Sequence, residues 1–211
     1  MTPELHRFLS LCLNLQVLKF GEFELKSGRV SPFFFNAGLL SSAEALASLA
    51  DLFAKRLAPK KPEVLFGAAY KGIPFVAATA SCLYKDHDQN PGWGFNRKEA
   101  KTHGEGGSLV GASLEGKSVW VIDDVITAGT AVREVLGMLD QAGAKVAGIC
   151  IALDRKERGQ GPRSAIEELR EQGYAVEALF SIDELIELVS SDDELKQHVA
   201  PMLAYRETYG V

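Results

Sequence analysis

In the stretch Lys117-Ser-Val-Trp-Val-Ile-Asp-Asp-Val-Ile-Thr-Ala-Gly-Thr130 an apolar run ends in two acids and then in a loop of small residues. Val119, Trp120, Val121 and Ile122 form a short continuous apolar block, suited to a strand buried on both faces, while Arg133 to Leu139 has helical spacing. The order is strand, loop, helix. Thr127-Ala-Gly-Thr-Ala131 carries no bulky side chain. Its backbone N–H groups can therefore approach a ligand at the positive end of the following helix, which is the build of a phosphate site. Asp123 and Asp124, at the carboxyl end of the strand, face whatever bears that phosphate: ribose hydroxyls, a bound cation or a developing positive charge. A merely capped helix start is the plainer reading, but two acids and two threonines around one glycine exceed what capping needs.

The same pattern lies upstream. Val64-Leu-Phe-Gly-Ala-Ala-Tyr-Lys-Gly-Ile-Pro74 runs from a short apolar strand through small residues into a helix that reaches about Leu83, with Tyr70 and Lys71 in the turn. Two such edges side by side are what a parallel α/β sheet supplies, with ligand contacts gathered at the carboxyl ends of its strands. Lys71 is placed to meet a pyrophosphate. Trp93 to Asn96 reads as a short strand, and Arg97-Lys-Glu-Ala-Lys-Thr-His-Gly-Glu-Gly-Gly-Ser108 follows it. Three cations and a histidine ahead of three glycines predict a mobile, anion-binding loop, a candidate lid between the two phosphate-type turns.

Ahead of these edges, Thr2 and Pro3 open a helix to Leu18. Alternation on either side of Ser27-Gly28 predicts a hairpin. Phe33, Phe34 and Phe35 are consecutive in its second arm, so at least one ring faces away from its neighbours, either into a core or onto a planar ligand. Ser41 to Leu57 is an amphipathic helix with Ser42 as its cap. Beyond the central stretch, Val146 to Leu153 is a buried strand that ends in Asp154-Arg-Lys-Glu-Arg158, where Arg155 could meet a carboxylate with two parallel hydrogen bonds. Helices follow at Pro162 to Gln172, Ile182 to Val189 and Asp193 to Tyr205, with a strand at Tyr174 to Phe180.

One motif misleads. Gly111-Ala-Ser-Leu-Glu-Gly-Lys117-Ser118 has the Walker A spacing, yet a strand follows it where a nucleotide-triphosphatase needs a helix.

At 211 residues, 46% hydrophobic and 24% charged, the chain is a globular domain of ordinary size. Folding can bury on the order of 70% of its unfolded surface. A net charge of −5 argues against broad nucleic-acid binding. No 18-residue uncharged apolar run exists to span a bilayer, and Phe8 to Leu15 lacks the flanks of a signal peptide, so a soluble protein of the cytoplasm is the default. Cys12, Cys82 and Cys150 are too widely spaced for a zinc clamp or redox motif and read as core residues.

At Val121-Ile-Asp-Asp-Val-Ile-Thr-Ala-Gly-Thr130 the chain closely resembles the binding signature of the type I phosphoribosyltransferases. Three more stretches narrow the likeness to the members that use orotate: Phe33-Phe-Phe-Asn-Ala-Gly38 after Lys26-Ser-Gly-Arg29, Gly67-Ala-Ala-Tyr-Lys-Gly72, and Arg97 to Gly107. The resemblance implies one domain over 1–211, with a parallel, Rossmann-like sheet flanked by helices at 62–180. It also implies a small N-terminal hood with a hairpin in 1–40 and a mobile loop at about 98–110. The reaction implied is transfer of the phosphoribosyl group of phosphoribosyl pyrophosphate (PRPP) to orotate, with Mg²⁺.

By resemblance, Thr127, Ala128, Gly129, Thr130 and Ala131 hold the PRPP 5′-phosphate, and Val125 and Ile126 join the PRPP contacts. Asp123 and Asp124 meet the ribose hydroxyls, Asp124 also standing near the metal, directly or through water. Tyr70 and Lys71 meet the pyrophosphate. Lys26 joins the PRPP contacts and lines the orotate approach with Phe34 and Phe35; Thr127 also touches orotate, and Arg155 takes its carboxylate. Arg97, Lys98, Lys101 and His103 belong to a loop that closes over the partner subunit's site in a homodimer, with Lys101 and His103 acting in the transition state. Two other readings stay open: a phosphoribosyltransferase for a purine or another pyrimidine, and a regulator that keeps the PRPP loop as a sensor.

Overall fold

The computed structural model describes residues 1–25, 27–101, 107–127, 129–159 and 161–211; for 98–101 and for Gly107 it describes the backbone alone. Helix α1 (Pro3–Asn14) is capped by Thr2, whose Oγ1 accepts from Leu5 N. The hairpin follows as β1 (Leu18–Glu24) and β2 (Val30–Phe35), antiparallel, with Leu18 opposite Phe35. Its turn uses Gly28 at φ +80°, a left-handed conformation that glycine adopts without a steric cost. Helix α2 (Ala43–Leu57) is capped by Ser42, as expected from the sequence.

The main sheet is assembled next: β3 (Val64–Gly67), α3 (Gly72–His87), β4 (Gly92–Lys101), β5 (Gly107–Gly111), β6 (Ser118–Val125), α4 (Thr130–Gln141), β7 (Lys145–Asp154), α5 (Ala165–Glu171) and β8 (Ala175–Ser181). Helices α6 (Ile182–Ser191) and α7 (Val199–Tyr209) close the described chain. The strand order is β5-β4-β3-β6-β7-β8. All neighbours pair in parallel except β4 with β5, so the expected parallel sheet carries one antiparallel edge.

That edge takes up both ends of the loop expected at 98–110, of which 102–106 lie outside the described residues. Residues 98–101 continue β4 and 107–110 belong to β5, held by antiparallel pairing of Asn96 with Leu109 and of Lys101 with Gly107 on either side of an irregularity. The expected four-residue strand at Trp93 is thus the start of a longer one. Ser118 opens β6 and Lys117 pairs with Glu63 at 3.0 Å, so the Walker-like stretch is a turn between strands. The last helix differs too: it starts at Val199, after a single tight turn at Lys196–His198, and runs to Tyr209.

Period-two alternation along the central strands explains why the sheet is buried on both faces. Leu65, Trp120, Ile122, Cys150 and Ala152 point to one face, under α2, α3 and α6, while Val64, Phe66, Val119, Val121, Ile149 and Ile151 point to the other, under α4 and α5. Burial pushes the Cys12 and Cys150 thiols up to about 12, which fits their reading as core residues; Cys82 is half-buried.

From β3 the chain passes through α3 to β4 on one side, and from β6 through α4 to β7 on the other. The carboxyl ends of β3 and β6 therefore flank the point where the winding reverses, and in open α/β sheets ligands bind in that crevice. Among the described residues no helix is long and apolar enough to cross a membrane.

Candidate active site

The turn from β3 to α3 closes on itself. A Cβ added at Gly67 would stand 2.3 Å from Gly72 O, and one at Gly72 would stand 2.9 Å from Gly67 C. Only two glycines let the backbones approach so closely. Ala69 N donates to Asn96 Oδ1 at 2.8 Å, and Asn96, on β4, is buried, so the neighbouring strand pins the loop. The Ala69–Tyr70 peptide is cis. Tyr70 is 65% exposed at the turn.

Alternation along β6 sends Asp124 to the α3 face and Asp123 to the α4 face. Lys71 Nζ therefore meets Asp124 Oδ2 at 2.5 Å, which joins the two strand-loop-helix edges directly. Asp124 Oδ1 also accepts from Val125 N at 2.9 Å. Asp123 Oδ1 accepts from Asp124 N at 2.8 Å. Burial, reinforced by the Asp124 carboxylate beside it, pushes the Asp123 carboxyl well above the usual carboxylate range.

Thr127, Thr130 and Ala131 are exposed, Val125 is half-buried, and Ile126 anchors the loop in the core. Gly129 is the N-cap of α4 at φ +77°, with no capping side chain among the described residues. By contrast α1, α2, α5 and α6 are capped by Thr2, Ser42, Ser164 and Ser181. The threonines and aspartates around Gly129 are thus not spent on capping, and the first-turn N–H groups of α4 stay available to an anion. Arg133, one turn in, pairs with Glu168 at 2.5 Å.

On the hairpin side the three phenylalanines diverge. Phe34 is 39% exposed and packs on Phe23 at 5.6 Å between centroids. Phe35 turns the other way: its ring is buried, edge-on against Phe180. Phe33, fully buried, lies under the Arg155 guanidinium at 4.1 Å. Arg155 itself is buried at the end of β7, with Nε donating to Glu157 Oε1 at 2.7 Å and Nη2 to Ser31 Oγ at 2.8 Å. Arg97, on β4, keeps a buried Nη1 with no hydrogen-bond partner among the described residues. Lys26, His103 and Ala128 lie outside the described residues, as do the side chains of Lys98 and Lys101.

Sequence reasoning missed Asn96, Ser31 and Glu157. Asn96 stood at the end of an expected short strand with nothing local to mark it. Ser31 and Glu157 act across 124 residues of chain or beside a charged run that reads as surface. Only the pairing of hairpin and sheet reveals them.

A family model, the phosphoribosyl transferase domain, matches residues 39–178. The chain belongs to the phosphoribosyltransferase family. The orotate phosphoribosyltransferase of Acinetobacter baumannii (strain ACICU) is 58% identical over 206 residues, 97% of this chain and 95% of the relative. That of Pseudomonas aeruginosa is 51% identical over 207 residues, 97% of each. Among solved structures, the orotate phosphoribosyltransferase of Francisella tularensis superposes with a TM-score of 0.85 at 39% identity, covering 97% of this chain and 100% of that one. Within the family the chain stands among the orotate phosphoribosyltransferases.

Proposed function

We propose that the enzyme transfers the phosphoribosyl group of PRPP to orotate, giving orotidine 5′-monophosphate and pyrophosphate in pyrimidine (UMP) biosynthesis. The observation that carries the proposal is the Lys71–Asp124 contact at 2.5 Å, which brings a pyrophosphate-type turn and a ribose-phosphate turn to one crevice. The 51–58% identical relatives named orotate phosphoribosyltransferase supply the choice of base.

In this reading the 5′-phosphate sits on the uncapped start of α4 and the ribose hydroxyls meet Asp123 and Asp124. The pyrophosphate faces Tyr70 and Lys71. Orotate lies by Phe34 and Thr127 with its carboxylate on Arg155. A bond forms from the orotate ring nitrogen to the anomeric carbon as the carbon–oxygen bond to pyrophosphate breaks, and that bond's electron pair leaves with pyrophosphate. Positive charge grows on the ribose beside the two acids, and negative charge grows beside the cations. Each correctly placed donor in such a site supplies about 3 kcal/mol.

Mg²⁺ fits this donor set. Among the described residues no group of three or more His, Cys, Asp or Glu could hold a metal alone. One or two carboxylates with substrate phosphates suffice for this ion, and Asp124, with Asp123 beside it, would hold it directly or through water. It would neutralise the pyrophosphate charge.

The test is the loss of orotate absorbance on mixing enzyme, PRPP and Mg²⁺. A falling trace that stops when metal is withdrawn supports both the reaction and the ion, and a silent trace with every component present overturns the assignment.

The enzyme works, in the same proposal, as a homodimer in which Arg97, Lys98, Lys101 and His103 reach the partner's site. The place of Arg97, Lys98 and Lys101 on β4, beside the outer edge strand of the sheet, supports this. Lys101→Ala is expected to lower kcat far more than either KM, as a group acting chiefly in the transition state would; unchanged kcat would refute that role. A mixture of Lys101→Ala and Asp124→Asn subunits should regain activity that neither has alone.

A further inference from the structure

Arg155 is held in three ways at once. Its guanidinium plane lies over the Phe33 ring at 4.1 Å, and the in-plane direction is set by Nε on Glu157 Oε1 at 2.7 Å and Nη2 on Ser31 Oγ at 2.8 Å. A guanidinium has five N–H donors in a fixed fork. Glu157 and Ser31 engage the Nε–Nη2 edge, and among the described residues no carboxylate meets the Nη1–Nη2 edge, which can take one with two parallel bonds.

Glu157 is held in turn. Its second oxygen faces Arg29 at 3.7 Å, its backbone bridges to Gly210, and Arg158 N donates to Tyr209 O at 2.8 Å. Arg29 also lies over the Tyr209 ring at 4.8 Å, so hairpin, β7 end and α7 meet at this one carboxylate.

We propose that Glu157 is a positioning residue for the base site: it turns Arg155 so that its free edge addresses the carboxylate of a planar pyrimidine. This rests on the reading of Arg155 as the orotate-carboxylate residue. The charge matters as well as the direction, because a buried guanidinium with no counter-charge is costly to keep in place. Glu157 touches no substrate in this scheme, so its effect must fall on orotate and spare PRPP.

The experiment compares steady-state KM for orotate, KM for PRPP and melting temperature in Glu157→Ala, Glu157→Gln, Arg155→Ala and the Glu157→Ala/Arg155→Ala double variant. Glu157→Ala should raise KM for orotate about 30-fold, the lower end of what truncating one partner of a buried charge pair costs. KM for PRPP should stay near wild type. Glu157→Gln, which keeps an acceptor for Nε, should recover much of the loss, and the double variant should be no worse than Arg155→Ala alone.

If Glu157→Ala keeps the wild-type orotate KM while Arg155→Ala does not, the positioning role is wrong and the base-site reading stands. If Arg155→Ala also leaves that KM unchanged, the base-site reading falls and takes the proposal with it. A rise shared equally by both KM values would mark Glu157 as structural and overturn the proposal. Should Glu157→Ala not fold, Glu157→Gln carries the same comparison, with a smaller orotate-only rise expected.

Discussion

Asp123→Asn is expected to melt at a higher temperature than the wild type at pH 8 and to turn over about 100- to 1,000-fold more slowly, the loss typical of removing a group that faces developing charge. Burial and the neighbouring Asp124 carboxylate raise the folded-state pKa of Asp123 above its unfolded value. Between those two values the folded chain binds the proton and the unfolded chain does not, so stability falls as pH rises through the window. Above the raised pKa the wild type must keep a buried carboxylate beside another one, and the amide escapes that requirement. The advantage of the variant should therefore be small near pH 4 and grow towards pH 8, at about 2–4 °C for each kcal/mol recovered in a chain of this size. Melting curves across that range, with kcat/KM measured alongside, decide it. A stability difference that ignores pH would remove the electrostatic explanation, and wild-type turnover would remove Asp123 from the site.

Gly67→Ala should abolish most activity without contributing any group to the chemistry. The new methyl would stand 2.3 Å from Gly72 O and 2.9 Å from Val76 Cγ1, separations that side chains do not tolerate. The strand end and the start of α3 must part, and Lys71 and Tyr70 move with them. A displacement of about 1 Å at a reacting site costs on the order of 100-fold in rate, and the overpacking adds about 1–3 kcal/mol of lost stability. Gly137→Ala is the control. It lies in α4 with nothing near its added Cβ, so it should keep wild-type kcat and gain up to about 1 kcal/mol of stability. Activity in Gly67→Ala equal to that of Gly137→Ala would show that the tight closure is dispensable.

The parts of the site that were legible in the sequence are those whose contacts are short in sequence. The phosphate loop, the paired acids and the Lys71 turn each declare themselves within about ten residues, because strand, small-residue loop and helix must be contiguous to build an anion site. The capping residues Thr2 and Ser42 were legible for the same reason. What escaped depends on partners far along the chain. Charge and glycine content made 98–110 look like a loop, yet β4 and β5 extend into it by pairing with each other. Three consecutive phenylalanines gave no sign of which ring would turn inward, since that depends on Phe180 and Tyr205 closing the core behind them. Ser31 and Glu157 were invisible because their role exists only once Arg155 lies between them.

The two helices that open the crevice are rooted on opposite sides of the sheet, α3 in one apolar core and α4 in the other. With the roles proposed above, the grip on the pyrophosphate end and the grip on the 5′-phosphate end rest on different cores, joined across the β3–β6 seam. Repacking Val76 or Leu83 beneath α3 should loosen one end of PRPP and spare the other, while Val135 or Leu139 beneath α4 should do the reverse. A chain built this way can retune its hold on the leaving group without disturbing its hold on the sugar phosphate.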